Sequence, residues 1–293
     1  MKTTTQQTSM PFHARIKSAL SIAFFFGLTS LFLALPLSAA DNAATVATNP
    51  VSAPPTLYII GDSRIVSTHS NGWGSELASF FDATKIKFST YCDQSARVNL
   101  RVGRWDAIVN KLKPGDFVLV QFNSNFESKV TDPYMHDRPA LAGYNEQTVE
   151  ATLADGNNET VHTYGWYMGK IASDAKEHGA TAILCSPLPR NKWTNEKLAH
   201  DETFDMTEWT RMAAKSVGAS FIDIHTIVAE GYEHLGKDTT SQFFIEKSVS
   251  ELSTDGMQYC ASAFVARIKG IPGCALVKYL LPFTAGITPN SVL

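Results

Sequence analysis

The sequence predicts an α/β fold, a five-stranded parallel sheet with helices on both faces. Three observations carry that expectation. Five apolar, β-prone runs alternate with helical segments, and parallel strands need such crossovers to be joined. The runs are bulky and apolar nearly throughout, as in TLYII at 56–60 and FVLVQF at 117–122, which suits strands covered on both faces. Residues 56–293 are enough for one α/β domain with a substantial core.

The chain opens with Lys2, Arg15 and Lys17, continues through an apolar run from about Ala19 to Leu37, and closes that run with Ser38-Ala39-Ala40. Basic, then apolar, then small is the order of a secretory leader, so residues 1–40 are read as a signal peptide. The rest of the chain is then secreted or periplasmic, with no membrane span in the mature protein. A retained single-span anchor is the competing reading of the same run, whose length is close to that of a bilayer-crossing helix. Residues 41–55, DNAATVATNPVSAPP, are low in charge and lack an amphipathic period, so they read as a flexible linker.

Within the domain, strands are expected at 56–60, 86–91, 116–122, 181–186 and 220–224. Helices are expected at 73–81, 104–112, 160–178, 206–217, 226–235 and 257–269. In the third of these, Val161, Tyr164, Tyr167, Met168, Ile171 and Ala175 form a stripe at helical spacing that faces the core. The stretch 128–158 is long, polar and rich in Asp, Asn and Gly, and is expected to be a loop covering a cleft.

Composition excludes several functions. Lys and Arg total 25 against 28 Asp and Glu, a net charge of −3, and loss of the leader's three cations makes the domain more acidic. Such a balance does not favour nucleic acid or an anionic membrane as partner. The four cysteines are too few for a disulfide framework in a domain this size, although a bridge between Cys260 and Cys274 is open. No cysteine or histidine cluster has metal-ligand spacing, and no metal or other cofactor is expected.

In open parallel sheets the ligand crevice lies beyond the carboxyl ends of the strands. Here those ends carry Gly61-Asp62-Ser63, Cys92-Asp93-Gln94-Ser95, Asn123-Ser124-Asn125, the stretch 186–193, and Asp223 to His225. An apolar strand that breaks at glycine delivers Ser63 to the mouth of the sheet, the setting of a nucleophile. Asp93, Trp73, Arg190, Asn191 and Trp193 mix aromatic, amide and charged groups around it, a lining suited to a sugar.

Longer stretches sharpen this. The Gly-Asp-Ser turn, NGWGSEL at 71–77, GRWDAIVNKLKPGDFVLVQF at 103–122, the block at 158–193 and FIDIHTIVAEGYEHLG at 221–236 resemble the SGNH (GDSL) hydrolases, and within them the rhamnogalacturonan acetylesterases and their bacterial relatives. The resemblance implies a three-layer α/β/α sandwich and removal of acetyl esters from pectic polysaccharide, so that the partner is an acetylated polysaccharide or oligosaccharide. It also implies that Ser63 is the nucleophile. The oxyanion hole would combine its amide, a glycine amide of the second block and the side chain of Asn125. A late Asp-x-x-His block would supply the base and its orienting carboxylate.

The chain departs from that pattern where catalysis is concentrated. Asp93-Gln94-Ser95 stands where the family has Gly-Arg-Ser, and Phe122-Asn123-Ser124-Asn125-Phe126 where it has Phe-Gly-His-Asn-Asp. No histidine follows His234. One alignment of DGMQ at 255–258 makes Asp255 the acid and puts Gln258 at the base; a gap-free alignment of 256–276 puts Glu251 at the histidine and Ser248 at its carboxylate. His225, near Asp223 on the same rim, is the substitute base from elsewhere in the chain. Two functions follow: a carbohydrate acetylesterase with a nonstandard base, or a relative without catalysis that binds glycan or a partner through the same cleft.

Overall fold

The computed structural model describes residues 53–66, 72–123, 130–131 and 138–292, and of Glu202 only the backbone. The described residues fall within one compact unit, Ser52–Leu293. The expected signal peptide, most of the expected linker, and Asn125 lie outside the described residues. No helix among the described residues is long and apolar enough to cross a membrane.

In chain order the elements are β1 (Thr56–Gly61), α1 (Trp73–Glu76), β2 (Lys87–Cys92), α2 (Ala96–Arg101), α3 (Arg104–Val109), β3 (Phe117–Gln121), β4 (Thr148–Thr152) and β5 (Asn158–His162). They continue with α4 (Tyr164–Glu177), β6 (Thr181–Cys185), β7 (Trp193–Thr194), β8 (Lys197–Leu198), α5 (Glu202–Val217), β9 (Ser220–Ile222), α6 (Ile224–Leu235), α7 (Lys237–Ser241) and α8 (Thr254–Lys269). The five expected runs become one parallel sheet in the order β2-β1-β3-β6-β9.

Strand alternation sorts the core into two layers. Leu57, Ile59, Leu119, Ile183 and Ile222 face α1, α6 and α8. Tyr58, Ile60, Val118, Val120 and Leu184 face α2 to α5. Each large aliphatic side chain removed from water in this way contributes about 1.5–3 kcal/mol, so the sandwich is held from both sides of the sheet. The chain reverses its direction of travel across the sheet at β1, which lies between β2 and β3, and the crevice for a ligand opens at such a switch point.

Three local departures from the sequence expectation have identifiable causes. The helix expected at 73–81 stays α-helical only to Glu76 and then tightens to a 3-10 turn, because Phe81 turns extended and bridges to Leu280. The helix expected from 160 begins at Tyr164, where Thr163 caps it by accepting from the Trp166 amide at 3.2 Å. The residues before it form β5, which pairs antiparallel with β4, so the stretch expected to be loop contains a hairpin. Its turn is closed by Asp155, which accepts from the Asn157 amide at 2.9 Å.

That hairpin is tied to the body by Arg97, whose side chain is fully buried. Its guanidinium holds Glu159 at 2.7 Å and donates to the carbonyls of Val130 at 2.7 Å and Pro139 at 2.6 Å.

Candidate active site

β1 ends at Gly61, where any Cβ would overlap the Gln121 carbonyl and the Ile65 side chain; only glycine lets the chain turn this close to β3. The next residue, Asp62, is buried and takes three hydrogen bonds. The amides of Asn123 and Arg64 donate at 2.5 and 3.0 Å, and the Asn123 side-chain amide at 3.2 Å. Asn123 also accepts from the Leu188 amide at 3.1 Å, and its carbonyl accepts from the Arg64 guanidinium at 3.1 Å. The turn is thereby fastened to the ends of β3 and β6, and Ser63 stands on it exposed.

The opposite wall comes from the segment before α8. Phe244 bridges to Leu252, Lys247 turns the chain in the left-handed region at φ 63°, and the Ser248 hydroxyl accepts from the Glu251 amide at 2.8 Å. Gly256, in the first turn of α8, lies so close to the Phe243 carbonyl that a side chain would collide with it. Ser253 caps the helix by accepting from the Gly256 amide at 3.2 Å. These contacts present Glu251 on the segment, and it lines one pocket of about 220 Å³ together with Ser63, Arg64, Gly72, Ile245, Ser250, Leu252 and Met257. Gln258 is exposed on α8 and does not line it. Ser248, on the same turn, organises the backbone of Glu251.

His225 is not brought to Ser63. β9, which delivers it, is three strands from β1, and strands lie about 4.8 Å apart. Its ring is buried, bonded to the Pro187 carbonyl, and burial holds its pKa below the ordinary imidazole value. It lines a separate pocket of about 290 Å³ with Arg190, His200 and Phe204. Asp223 is occupied as the cap of α6, accepting from the Thr226 amide at 3.0 Å and the Thr226 hydroxyl at 2.9 Å.

The other sugar-lining candidates fall in different places. Trp73 is 0% exposed, packed against Phe264 with its indole N–H donating to Gln121 at 2.9 Å, so it belongs to the core and offers no surface to a ligand. Asp93 is buried as well. Its carboxylate pairs with Arg104 at 2.8 Å and accepts from Asn99 at 3.1 Å, so its negative charge is neutralised locally. Its amide is committed too, donating to the Gly61 carbonyl at 2.8 Å.

Asn191 and Trp193 form a bracket. The Trp193 indole donates to Asn191 at 2.7 Å, and the Asn191 amide donates to the Val249 carbonyl at 2.8 Å, which steadies the segment carrying Glu251. Arg190 sits 4.0 Å from Asp201, the cap of α5. Sequence reasoning passed over Arg64 and Asn123. Asn123 was on the rim and in a departure from the family pattern, and Arg64 follows Ser63 directly, but only the fold brings the two together.

Among the described residues no group of three or more His, Cys, Asp or Glu could hold a metal ion, and all four cysteines are free.

A serine on the turn after the first strand of a parallel sheet ordered 2-1-3-6-9, with a polar pocket at the switch point, defines the α/β fold of the SGNH hydrolases. The chain is similar to rhamnogalacturonan acetylesterases among them. It is 28% identical over 215 residues to the rhamnogalacturonan acetylesterase of Emericella nidulans, covering 73% of this chain and 84% of that one. To YesY of Bacillus subtilis, described as a probable rhamnogalacturonan acetylesterase, it is 25% identical over 150 residues, covering 50% of this chain and 59% of that one. Two solved structures share the fold. The protein YxiM of Bacillus subtilis superimposes with a TM-score of 0.57 at 20% identity, covering 75% of this chain and 58% of that one. LAE5, an α/β hydrolase from the Lake Arreo metagenome, gives 0.51 at 18% identity, covering 76% and 96%. The chain thus spans less than two thirds of the length of YesY and of YxiM. No family model matches it.

Proposed function

We propose that this protein is an exported carbohydrate O-acetylesterase in which Ser63 is the nucleophile and Glu251 the base, acting on acetylated pectic polysaccharide or its oligosaccharides. The observation that carries this reading is the shared pocket of Ser63 and Glu251, reached by a segment whose turn, bracket and helix cap all serve to present that carboxylate. The substrate class rests on the likeness to the two relatives named for rhamnogalacturonan.

Ser63 Oγ attacks the acetyl carbonyl as Glu251 takes its proton, directly or through one water. The tetrahedral oxyanion is met by the Ser63 amide and by Asn125. Collapse returns the proton to the departing sugar hydroxyl and leaves an acetyl-serine. Water, deprotonated by Glu251, then releases acetate. A carboxylate has a reference pKa of about 4.3 against about 6.5 for imidazole, so this base is intrinsically weaker than the histidine it replaces.

A second reading is favoured by one observation. The Asp93 amide is spent on Gly61, which leaves the second block without the donor that an oxyanion uses. On that reading the cleft binds glycan and turns nothing over.

Acetate release from acetylated pectin and from an activated aryl acetate, measured for the wild type, Ser63→Ala, Glu251→Gln and His225→Ala, separates the two. The expected result is loss of about 100-fold or more in both Ser63→Ala and Glu251→Gln. Loss in Ser63→Ala and His225→Ala with Glu251→Gln active assigns the base to His225. A wild type no faster than Ser63→Ala supports the binding reading.

A further inference from the structure

The residue directly after the nucleophile is an arginine, and its surroundings are unusual for a cation. Arg64 is half-buried in the wall of the Ser63 pocket. Its guanidinium is fixed by one neutral partner, the Asn123 carbonyl at 3.1 Å. Among the described residues no carboxylate lies within ion-pair distance of it. Asp62 spends its oxygens on the two amides and the side chain of the turn, and Glu251, across the same pocket, forms no ion pair with it. The chain as a whole is net acidic at −3, so no general excess of positive charge accounts for a cation in this pocket. Taking a guanidinium partly out of water without a counter-charge is unfavourable, and a ligand that supplies the counter-charge removes that cost.

We propose that Arg64 is a carboxylate-recognition residue, through which the Ser63 pocket takes an acidic glycan in preference to a neutral one. The tether on one terminal nitrogen pre-orients the planar fork and leaves the remaining N–H groups for a ligand, the arrangement that pairs bidentately with a carboxylate. The anionic group is the carboxylate of a uronate, either the acetylated sugar itself or its neighbour in the chain. Glu251 stands on the other wall and keeps the acid at the Arg64 side by repulsion. The inference rests on the reading of this pocket as a glycan cleft. It does not require that the cleft turn the glycan over.

The test therefore has a binding arm and a turnover arm. In the binding arm, full-length Ser63→Ala protein is titrated calorimetrically with trigalacturonate and with xylotriose, with and without the additional change Arg64→Gln or Arg64→Lys. Trigalacturonate is expected to bind more tightly than xylotriose, and Arg64→Gln is expected to weaken trigalacturonate by about 10- to 100-fold, the range of a charge-assisted pair. Arg64→Lys, which keeps the charge and loses the fork, falls between. Equal affinity for the two sugars, or a trigalacturonate affinity indifferent to Arg64→Gln, overturns the proposal.

In the turnover arm, the ratio of kcat/KM for acetylated oligogalacturonate over acetylated xylo-oligosaccharide is expected to fall at least about tenfold in Arg64→Gln. An equal loss on both substrates overturns the proposal and makes Arg64 a stabiliser of the oxyanion. If no variant turns over either ester, the acetylesterase reading falls while the binding arm still decides the role of Arg64.

Discussion

Asn123 stands where the family has a glycine, and the side chain that glycine lacks makes two bonds here, to Asp62 and to the Leu188 amide. The Asn123 side chain locks the serine turn to the end of β6. His225 shows the opposite economy, since it lies on the expected rim yet serves packing. Burial lowers its pKa against the pull of Asp223, the Pro187 carbonyl and Asp201, with His200 adding to the lowering; burial lowers that of His162 as well. The folded protein thus resists protons that the unfolded chain accepts below about pH 6.5. Stability from these two groups is present above that value and is lost as pH falls through it towards the folded pKa. Urea midpoints measured between about pH 7 and 5 should fall, and His225→Gln should flatten the slope. The lowered carboxylates, such as Asp82 at about 2, act in a separate and more acid window. At this scale Ser63 was legible because an apolar strand broke at glycine. Trp73 was not, because the partner that fixes its indole, Gln121, comes from a distant strand.

Of the elements, the hairpin β4–β5 was hidden by its composition: short, polar and exposed, it offers little hydrophobic period to read. What holds it is tertiary. Arg97 reaches from α2 to Glu159 in β5 and to two carbonyls of the intervening chain, and Arg101 adds a second contact to Glu159 at 3.1 Å. Removing one partner of a buried ion pair leaves the other charge stranded, at a cost of about 3–5 kcal/mol. Because Arg101 still pairs with Glu159, Arg97→Gln should lower the unfolding free energy by less than that amount in denaturant titrations, with faster amide exchange in β4 and β5. Exchange unchanged in the hairpin would mean that something other than Arg97 secures it. The five central strands, by contrast, could be read directly, because burial on both faces makes them apolar throughout. The bounds of the helices slipped where a cap, as at Thr163, decided them.

The whole molecule is stabilised by two apolar layers and by no disulfide. Cys185 and Cys260 lie inside, where burial raises the Cys185 thiol pKa and pushes that of Cys260 up to about 12; Cys92 is also raised by burial. Thiols held protonated and out of solvent react slowly. A thiol reagent at about pH 8 should therefore spare Cys185 and Cys260 in the native protein and titrate all four cysteines once the chain is denatured without reductant. Fewer than four would reveal a bridge. Architecture and the serine turn could be inferred from the sequence, because they are local or periodic. The facing wall could not, since it depends on contacts between Asn191 and Val249 and between Gly256 and Phe243 that no spacing announces. That division has a consequence for the making of the protein. Domains assemble as the chain emerges from the ribosome, amino-terminal parts first. Ser63 emerges with the first strand, but Glu251 arrives only just before the last long helix, so a growing chain carries its serine turn for most of its synthesis without the facing wall. The pocket is completed late, when the segment before α8 docks.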